Sequence, residues 1–300
     1  MRSSIARTIP LAVLGVGAAT VAYATVIERN AFRLRHLEMP VLAPGTHPLK
    51  VLHISDAHLT PNQLRKIAWL HDLAELKPDL VINTGDSISH PEALPAFRYA
   101  IDPLLDLPGA FVFGSNDRYA PKLKNPLRYL LPTDREQVEP VRQPTLPWRE
   151  LGEAMTARGW LDLNNRRGTL HIGEHTLQLA GVDDSHIGLD RYDDVAGAVD
   201  DTATAHLGVL HSPEPAVLDR FATDGYQALF AGHTHGGQVC VPGYGALVSN
   251  CGLEPARAKG LSRHHSAWLH VSAGLGTSPY APFRFACPPE ASLVTLTPRH

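Results

Sequence analysis

Residues 50–58 read Lys-Val-Leu-His-Ile-Ser-Asp-Ala-His, and residues 80–86 read Leu-Val-Ile-Asn-Thr-Gly-Asp. Each opens on a short apolar run, 51–54 and 80–82, of strand length, and each closes on side chains that bind protons or cations. Between them, residues 62–76 place Leu64, Ile67, Ala68, Leu70, Leu73 and Leu76 at helical spacing, and Pro78 stops the pattern. Strand, helix, strand predicts a βαβ unit and an α/β fold.

The same reading extends down the chain. Runs at 110–113, 177–182, 207–210 and 228–231 are further strands, as are 267–271 and 292–296. The first of these closes with Gly114-Ser115-Asn116-Asp117, the third with His211, and the fourth with Gly232-His233-Thr234-His235-Gly236-Gly237. In open α/β sheets ligands gather beyond the carboxyl ends of the strands. Five such ends carry Asp, Asn or His, which are hard or borderline oxygen and nitrogen ligands.

Taken alone, Asp56-x-His58 reads as a turn or helix cap, Gly85-Asp86 as a turn, and His211 before Ser-Pro as a satisfied loop histidine. Two histidines at i and i+2 among three glycines are poorly explained by packing. With all five blocks at strand ends, two Asp, one Asn and four His suffice for two metal sites if one carboxylate bridges. Asp86 suits the bridge, because Gly85 lets the backbone turn tightly beneath it.

These blocks resemble the calcineurin-like metallophosphoesterase family over residues 50–298, most specifically in the Gly-His-x-His block. The resemblance implies a four-layer αββα sandwich of two mixed sheets flanked by helices. It implies one metal held by Asp56, His58, Asp86 and His235, and a second held by Asp86, an Asn, His211 and His233. It also implies a hydroxide bridging two ions about 3.5–4 Å apart that attacks phosphorus. Mn, Fe or Zn suits such mixed ligation.

One block departs from the family pattern. Gly-Asn-His-Asp or Glu is usual, and this chain has Gly-Ser-Asn-Asp at 114–117. Asn116 is expected to supply the ligand oxygen through a one-residue shift of the loop, since a serine hydroxyl is a poor neutral ligand. The family histidine is then missing. His186, in Asp183-Asp184-Ser185-His186 after the 177–182 strand, is the candidate replacement as general acid. The basic run Arg257, Lys259, Arg263, His264 and His265 reads as a solvated loop.

Composition bounds the rest. The chain has 300 residues, 44% hydrophobic and 19% charged, which is globular. Its net charge is −3 although residues 1–35 hold five arginines against Glu28. The body is therefore acidic, which argues against nucleic acid as a partner. Cys240, Cys251 and Cys287 form neither a disulfide framework nor a CxxC site. No Gly-x-Ser-x-Gly or Walker loop is present.

Residues 8–27 lack any charge and as a helix span roughly 30 Å. They read as a single-pass N-terminal anchor within a 1–35 segment, because the run is long for a signal peptide cut after Ala24. Basic residues on both flanks leave the orientation open. The resemblance accordingly extends to the membrane-associated or exported bacterial branch. Residues 36–49, with Pro40, Pro44 and Pro48, read as a tether, and 50–300 as the catalytic domain. Within it, 118–150 holds six prolines and reads as a surface insertion or lid. The expected function is a membrane-tethered phosphohydrolase with two divalent ions, acting on a phosphomonoester or phosphodiester that a lipid can carry. A non-catalytic scaffold retaining the fold, and a single-metal hydrolase acting elsewhere than on phosphate, are the competing readings.

Overall fold

The computed structural model describes residues 15–122, 143–200 and 202–299. Among them, the strands form two six-stranded sheets and a small ribbon. The first sheet comprises β1 (Arg33–Leu42), β2 (Leu49–Ile54), β3 (Leu80–Asn83), β4 (Gly109–Phe111), β5 (Leu161–Asp162) and β14 (Glu290–Pro298), in the order β1-β14-β2-β3-β4-β5. The second comprises β6 (Arg166–Ile172), β7 (His175–Gly181), β8 (Ala205–Val209), β9 (Ala228–Ala231), β12 (Gly260–His264) and β13 (Ala267–Val271), in the order β12-β13-β9-β8-β7-β6. β10 (Cys240–Val241) and β11 (Gly245–Ala246) pair as the ribbon.

Both sheets are mixed. β2, β3, β4 and β5 run parallel, with β14 antiparallel to β2. β7, β8, β9 and β13 run parallel, with β6 and β12 antiparallel at the edges. Alternation along the strands sorts side chains into layers. Val51, Ile82 and Ala110 face Leu207, Val209 and Phe230 in the layer between the sheets. Their neighbours Leu52, Val81 and Phe111 face outward under helices α1 (Leu64–Asp72), α2 (Leu94–Ile101) and α4 (Trp148–Thr156), against Ile67, Leu70, Phe97 and Leu151. On the far side, Leu229 and Val271 meet Leu218 and Phe221 of α5 (Pro215–Thr223). The short helix α3 (Ser115–Arg118) follows β4. Helix, sheet, sheet, helix is the layer order, and the carboxyl ends of β2, β3, β4, β8 and β9 open onto a common edge.

Three boundaries differ from the sequence expectation. Residues 36–49 are not a tether: β1 pairs in parallel with β14, and Met39, Val41 and Leu42 are buried between the sheets. Pro40 is tolerated because β1 is an edge strand, and the register shifts beside it. The end of the 1–35 segment also belongs to the fold. The Ala24 carbonyl accepts from Arg284 N at 3.1 Å, and the buried Glu28 carboxylate accepts from Cys287 N at 2.6 Å. Residues 15–22 are helical, followed by a π-turn at Tyr23–Ile27 and a 3₁₀ turn at Glu28–Asn30. No helix of the described residues is long and apolar enough to cross a membrane, and the remainder of the expected span, 8–14, lies outside them. Most of the expected insertion, 123–142, also lies outside the described residues. Its C-terminal flank enters α4, where Trp148 stacks 4.7 Å beneath the Arg118 guanidinium. The expected helix at 62–76 is α-helical only to Asp72 and then tightens to a 3₁₀ turn at Leu73–Leu76.

Candidate metal centre

The loops after β2, β3 and β9 turn so sharply that Asp56, His58, Asp86, His233 and His235 all adopt left-handed backbone conformations, with φ between 42° and 69°. For residues other than glycine each such conformation costs on the order of 1–3 kcal/mol, and it persists where surrounding structure enforces it. Backbone bonds do so here: Asp56 N donates to Gly85 O and His58 N to Asp86 O, both at 2.9 Å. Two glycines make the close approach possible. A Cβ on Gly114 would lie 2.2 Å from Asp86 Oδ1, and one on Gly232 would lie 1.9 Å from Ser55 Oγ.

The seven residues singled out as ligands are brought together. His58 Nε2 and His235 Nε2 face each other at 3.0 Å, and His211 Nε2 and His233 Nδ1 at 3.3 Å. Asp86 Oδ2 lies between the pairs, 3.3 Å from His58 Nε2 and 3.6 Å from His211 Nε2. Asp56 Oδ1 lies 3.5 Å from His235 Nε2. Asn116 donates to Asp86 twice at 2.7 Å, from its backbone N and from Nδ2.

The outer nitrogens of these rings decide what the inner ones offer. A backbone carbonyl only accepts, so His211 Nδ1 donates to Thr84 O (2.7 Å), His233 Nε2 to Asn250 O (3.2 Å) and His235 Nδ1 to Gly276 O (3.2 Å). Arg284 also lies 3.4 Å from His235 Nδ1, but that guanidinium nitrogen donates to Ala273 O and Gly276 O at 2.7 Å. His58 Nδ1 pairs with Ser89 Oγ at 2.9 Å. The inner nitrogens of the neutral His233 and His235 rings therefore present lone pairs to their neighbours, and that of His211 does the same once it gives up its second proton. Only a proton or a cation can stand between such groups. Two imidazole pairs flanking one shared carboxylate oxygen thus fit two divalent cations.

The electrostatics agree. Burial pushes His58 down to about 4 and holds His233 and His235 well below the usual histidine range, so these rings are neutral and ready to ligate. Burial opposes charge on His211 as well, but Asp86, Asp184 and Asp56 outweigh it and push it up to about 9. The field that holds a proton there is the field a metal ion would experience. Asp56 is pushed up to about 6, chiefly by burial. Asp86 is lowered: burial resists, and His211, His58 and Asn116 prevail.

A second ring of residues holds the first. Asp117 accepts from Asp86 N (2.8 Å) and Gly114 N (2.9 Å) on one oxygen and from Ser87 N (2.7 Å) on the other. Behind Asp56, hydrogen bonds run from His270 through His53, Thr84 and Ser55 to Asp56 Oδ2, at 2.8, 2.9, 2.6 and 2.5 Å. With Asp56 ionised, every donor in this chain points toward it, and neighbouring bonds polarise one another. His186 stands beside the metal-facing groups, its ring 4.3 Å from that of His233, and its backbone N donates to Asp184 Oδ1 at 2.9 Å. Asp184 is buried and raised, by burial first, and its Oδ2 has no partner among the described residues.

Sequence reasoning missed Asp117, Asp184, Ser89 and Asn250. Asp117 stood in the Gly-Ser-Asn-Asp block with no role assigned to it, and the Asn250 carbonyl that accepts from His233 is one any residue supplies. The basic run offers a contrasting cluster. His264 and His265 both approach Asp219 Oδ1, at 2.7 and 3.0 Å. Arg257 donates to His264 Nδ1 at 3.4 Å, so Nε2 carries the proton, and ordinary hydrogen bonding accounts for the contact to Asp219.

A family model described as calcineurin-like phosphoesterase matches residues 49–237, more than half of the chain. The metallophosphoesterase YkuE of Bacillus subtilis is 25% identical over 269 residues, covering 87% of this chain and 83% of its own. The UDP-2,3-diacylglucosamine pyrophosphatase LpxG of Chlamydia trachomatis is 25% identical over 323 residues, covering 94% of each chain. The phosphodiesterase YaeI of Escherichia coli is 24% identical over 282 residues, covering 91% of this chain and 92% of its own.

Proposed function

The chain belongs to the calcineurin-like phosphoesterase family and is a hydrolase, and from that premise we propose that it cleaves a lipid-linked phosphomonoester or phosphodiester at a centre of two divalent cations. The observation that carries this reading is the arrangement of two imidazole pairs on either side of Asp86 Oδ2. Asp56, His58, Asp86 and His235 would hold one ion. Asp86, Asn116, His211 and His233 would hold the other. Mn, Fe or Zn suits these donors. When bound, such a pair supplies Lewis acidity to the phosphoryl oxygens and lowers the pKa of water.

The protein's own groups do the rest. The carbonyls of Thr84, Asn250 and Gly276 fix the ring tautomers, so the ring nitrogens that would ligate already face inward. Asn116 sits on Asp86 through both backbone and amide, and turning the amide over presents its oxygen where its nitrogen now lies. His186 stands beside His233, and we assign it the proton delivered to the leaving oxygen. A scaffold has no use for this cluster, because buried polar groups of this kind are costly without an occupant.

The lipid part of the proposal rests on two supports. One relative is named for a diacylated sugar nucleotide. The uncharged residues 8–27 suit attachment to a membrane, and the described part of that segment exposes Val16, Val21, Val26 and Ile27. Full-length protein is expected in the membrane fraction, retained in high salt and released by detergent. Release by salt alone contradicts attachment. The test of the activity is turnover of an aryl phosphodiester and an aryl monoester by full-length protein in detergent. Hydrolysis is expected with Mn²⁺, and loss is expected on chelation. Turnover indifferent to chelation and to His233→Ala contradicts the proposal.

A further inference from the structure

Charged residues make up 19% of the chain, yet two surface stretches beside the metal centre, residues 236–253 and 277–283, contain no Asp, Glu, Lys or Arg. The second continues the interior strand β13 and the buried residues 272–276, where burial itself excludes charge. Each adjoins the centre. His235 immediately precedes the first stretch, and Asn250 within it holds the His233 ring. Gly276, immediately before the second, holds the His235 ring.

The two stretches form one surface. Cys240 N donates to Phe285 O at 2.8 Å, Phe285 N to Gln238 O at 3.1 Å, and Gln238 Nε2 to Ala281 O at 3.1 Å. On it, Val239, Val241, Tyr244, Leu247 and Tyr280 are exposed, Tyr244 by 77%. Scattered apolar residues on a surface need no explanation. Five large ones on two uncharged, hydrogen-bonded segments that adjoin the centre do.

The N-terminal segment says what covers it. Arg284 N donates to Ala24 O, Arg29 donates to Pro282 O at 3.3 Å, and the Tyr23 ring meets Phe285 edge-on at 6.4 Å. Residues 15–27, the described part of the uncharged segment, therefore leave the domain at this same surface, with Val16, Val21, Val26 and Ile27 exposed beyond it. A single medium suits the apolar segment and the apolar rim together. We propose that the β10–β11 ribbon and the 278–283 loop seat on the lipid surface, so that the metal centre opens onto phosphoesters at the bilayer interface. This rests on the hydrolase reading for its purpose but not for its geometry. Tyrosine suits such a position, with an apolar ring and a polar tip.

Two measurements on the full-length protein in phosphatidylcholine vesicles test it. In Tyr244→Trp, the added indole fluorescence is expected to shift to the blue and to be quenched by lipids brominated on their acyl chains. In the combined Val239→Ser, Val241→Ser, Tyr244→Ser, Leu247→Ser variant, hydrolysis of a phosphoester lipid in the vesicle is expected to fall about tenfold, the scale that losing one or two kcal/mol of apolar insertion produces. Turnover of a water-soluble aryl phosphodiester should stay unchanged. An added indole that stays unquenched and water-exposed, or vesicle and soluble turnover falling together, overturns the proposal. The first outcome would leave the surface to a protein partner. If no phosphoester is hydrolysed by any form while the indole is still quenched, the hydrolase reading fails and the docking surface stands.

Discussion

Asp117→Asn isolates the part of the site that sequence reasoning missed. The carboxylate accepts three backbone N–H groups, those of Asp86, Ser87 and Gly114, at 2.7–2.9 Å. An asparagine keeps one acceptor oxygen. Placed where Oδ2 now lies it retains two bonds, and its NH₂ then faces the Ser87 N–H. A hydrogen bond to a charged group contributes about 1.5–3 kcal/mol, and a neutral acceptor about half as much. One bond is lost and two are weakened. Removing a buried charge offsets part of this, since burial, with Asp86 adding to it, pushes Asp117 up to about 7. The expected loss is about 3 kcal/mol, which lowers Tm by roughly 5–10 °C in a chain of this size. The displaced amides flank Asp86, so bound metal should fall as well, by the 10–100-fold in affinity typical of groups that orient ligands. Scanning calorimetry and metal titration measure both. A Tm within about 1 °C of the parent together with unchanged metal affinity would refute the reasoning.

Three further outcomes follow from the same geometry. Asn116→Ala should weaken the second ion and remove most activity while Ser115→Ala is mild, because Asn116 is the residue joined to Asp86; the reverse order in metal titration would move the ligand to Ser115. His186→Ala should slow substrates with poor leaving groups by about 10²–10⁴ and spare aryl esters, which leave without a proton; equal slowing of both would remove the acid role. Lys66 is buried, donates to Ala57 O at 2.6 Å, and is pushed down to about 7 by burial, then by Arg284 and Arg29. The unfolded chain holds the lysine proton up to about 10.4, so between these values the native state gains stability as pH rises. Lys66→Met lacks this gain. Its Tm relative to the parent should be higher at about pH 6 than at about pH 9, and a gap independent of pH would contradict the assignment.

Where the sequence was legible, a local rule and the tertiary fold agreed. β2, α1 and β3 follow from apolar spacing, and the groups at their carboxyl ends follow from the parallel sheet they build. The His233–His235 pair was legible because glycines around two imidazoles have no packing rationale. β1 was misread because Pro40 argues against a strand only in the middle of a sheet. β6 was missed because its outer face is wet and its run, Arg166–Ile172, is polar. The tautomer-setting contacts were invisible for a different reason. Thr84, Asn250 and Gly276 contribute carbonyls, and a carbonyl leaves no mark on residue type. Nor does spacing reveal that residues 236–253 and 277–283 form one surface: the bond from Gln238 Nε2 to Ala281 O does that.

The central claim is that Asp86 is shared by two cations. Anomalous difference density from crystals grown with Mn²⁺ tests it most directly. Two peaks are expected on opposite sides of Asp86 Oδ2, one bounded by Asp56, His58 and His235 and the other by Asn116, His211 and His233. A single peak away from Asp86, or none, would contradict it.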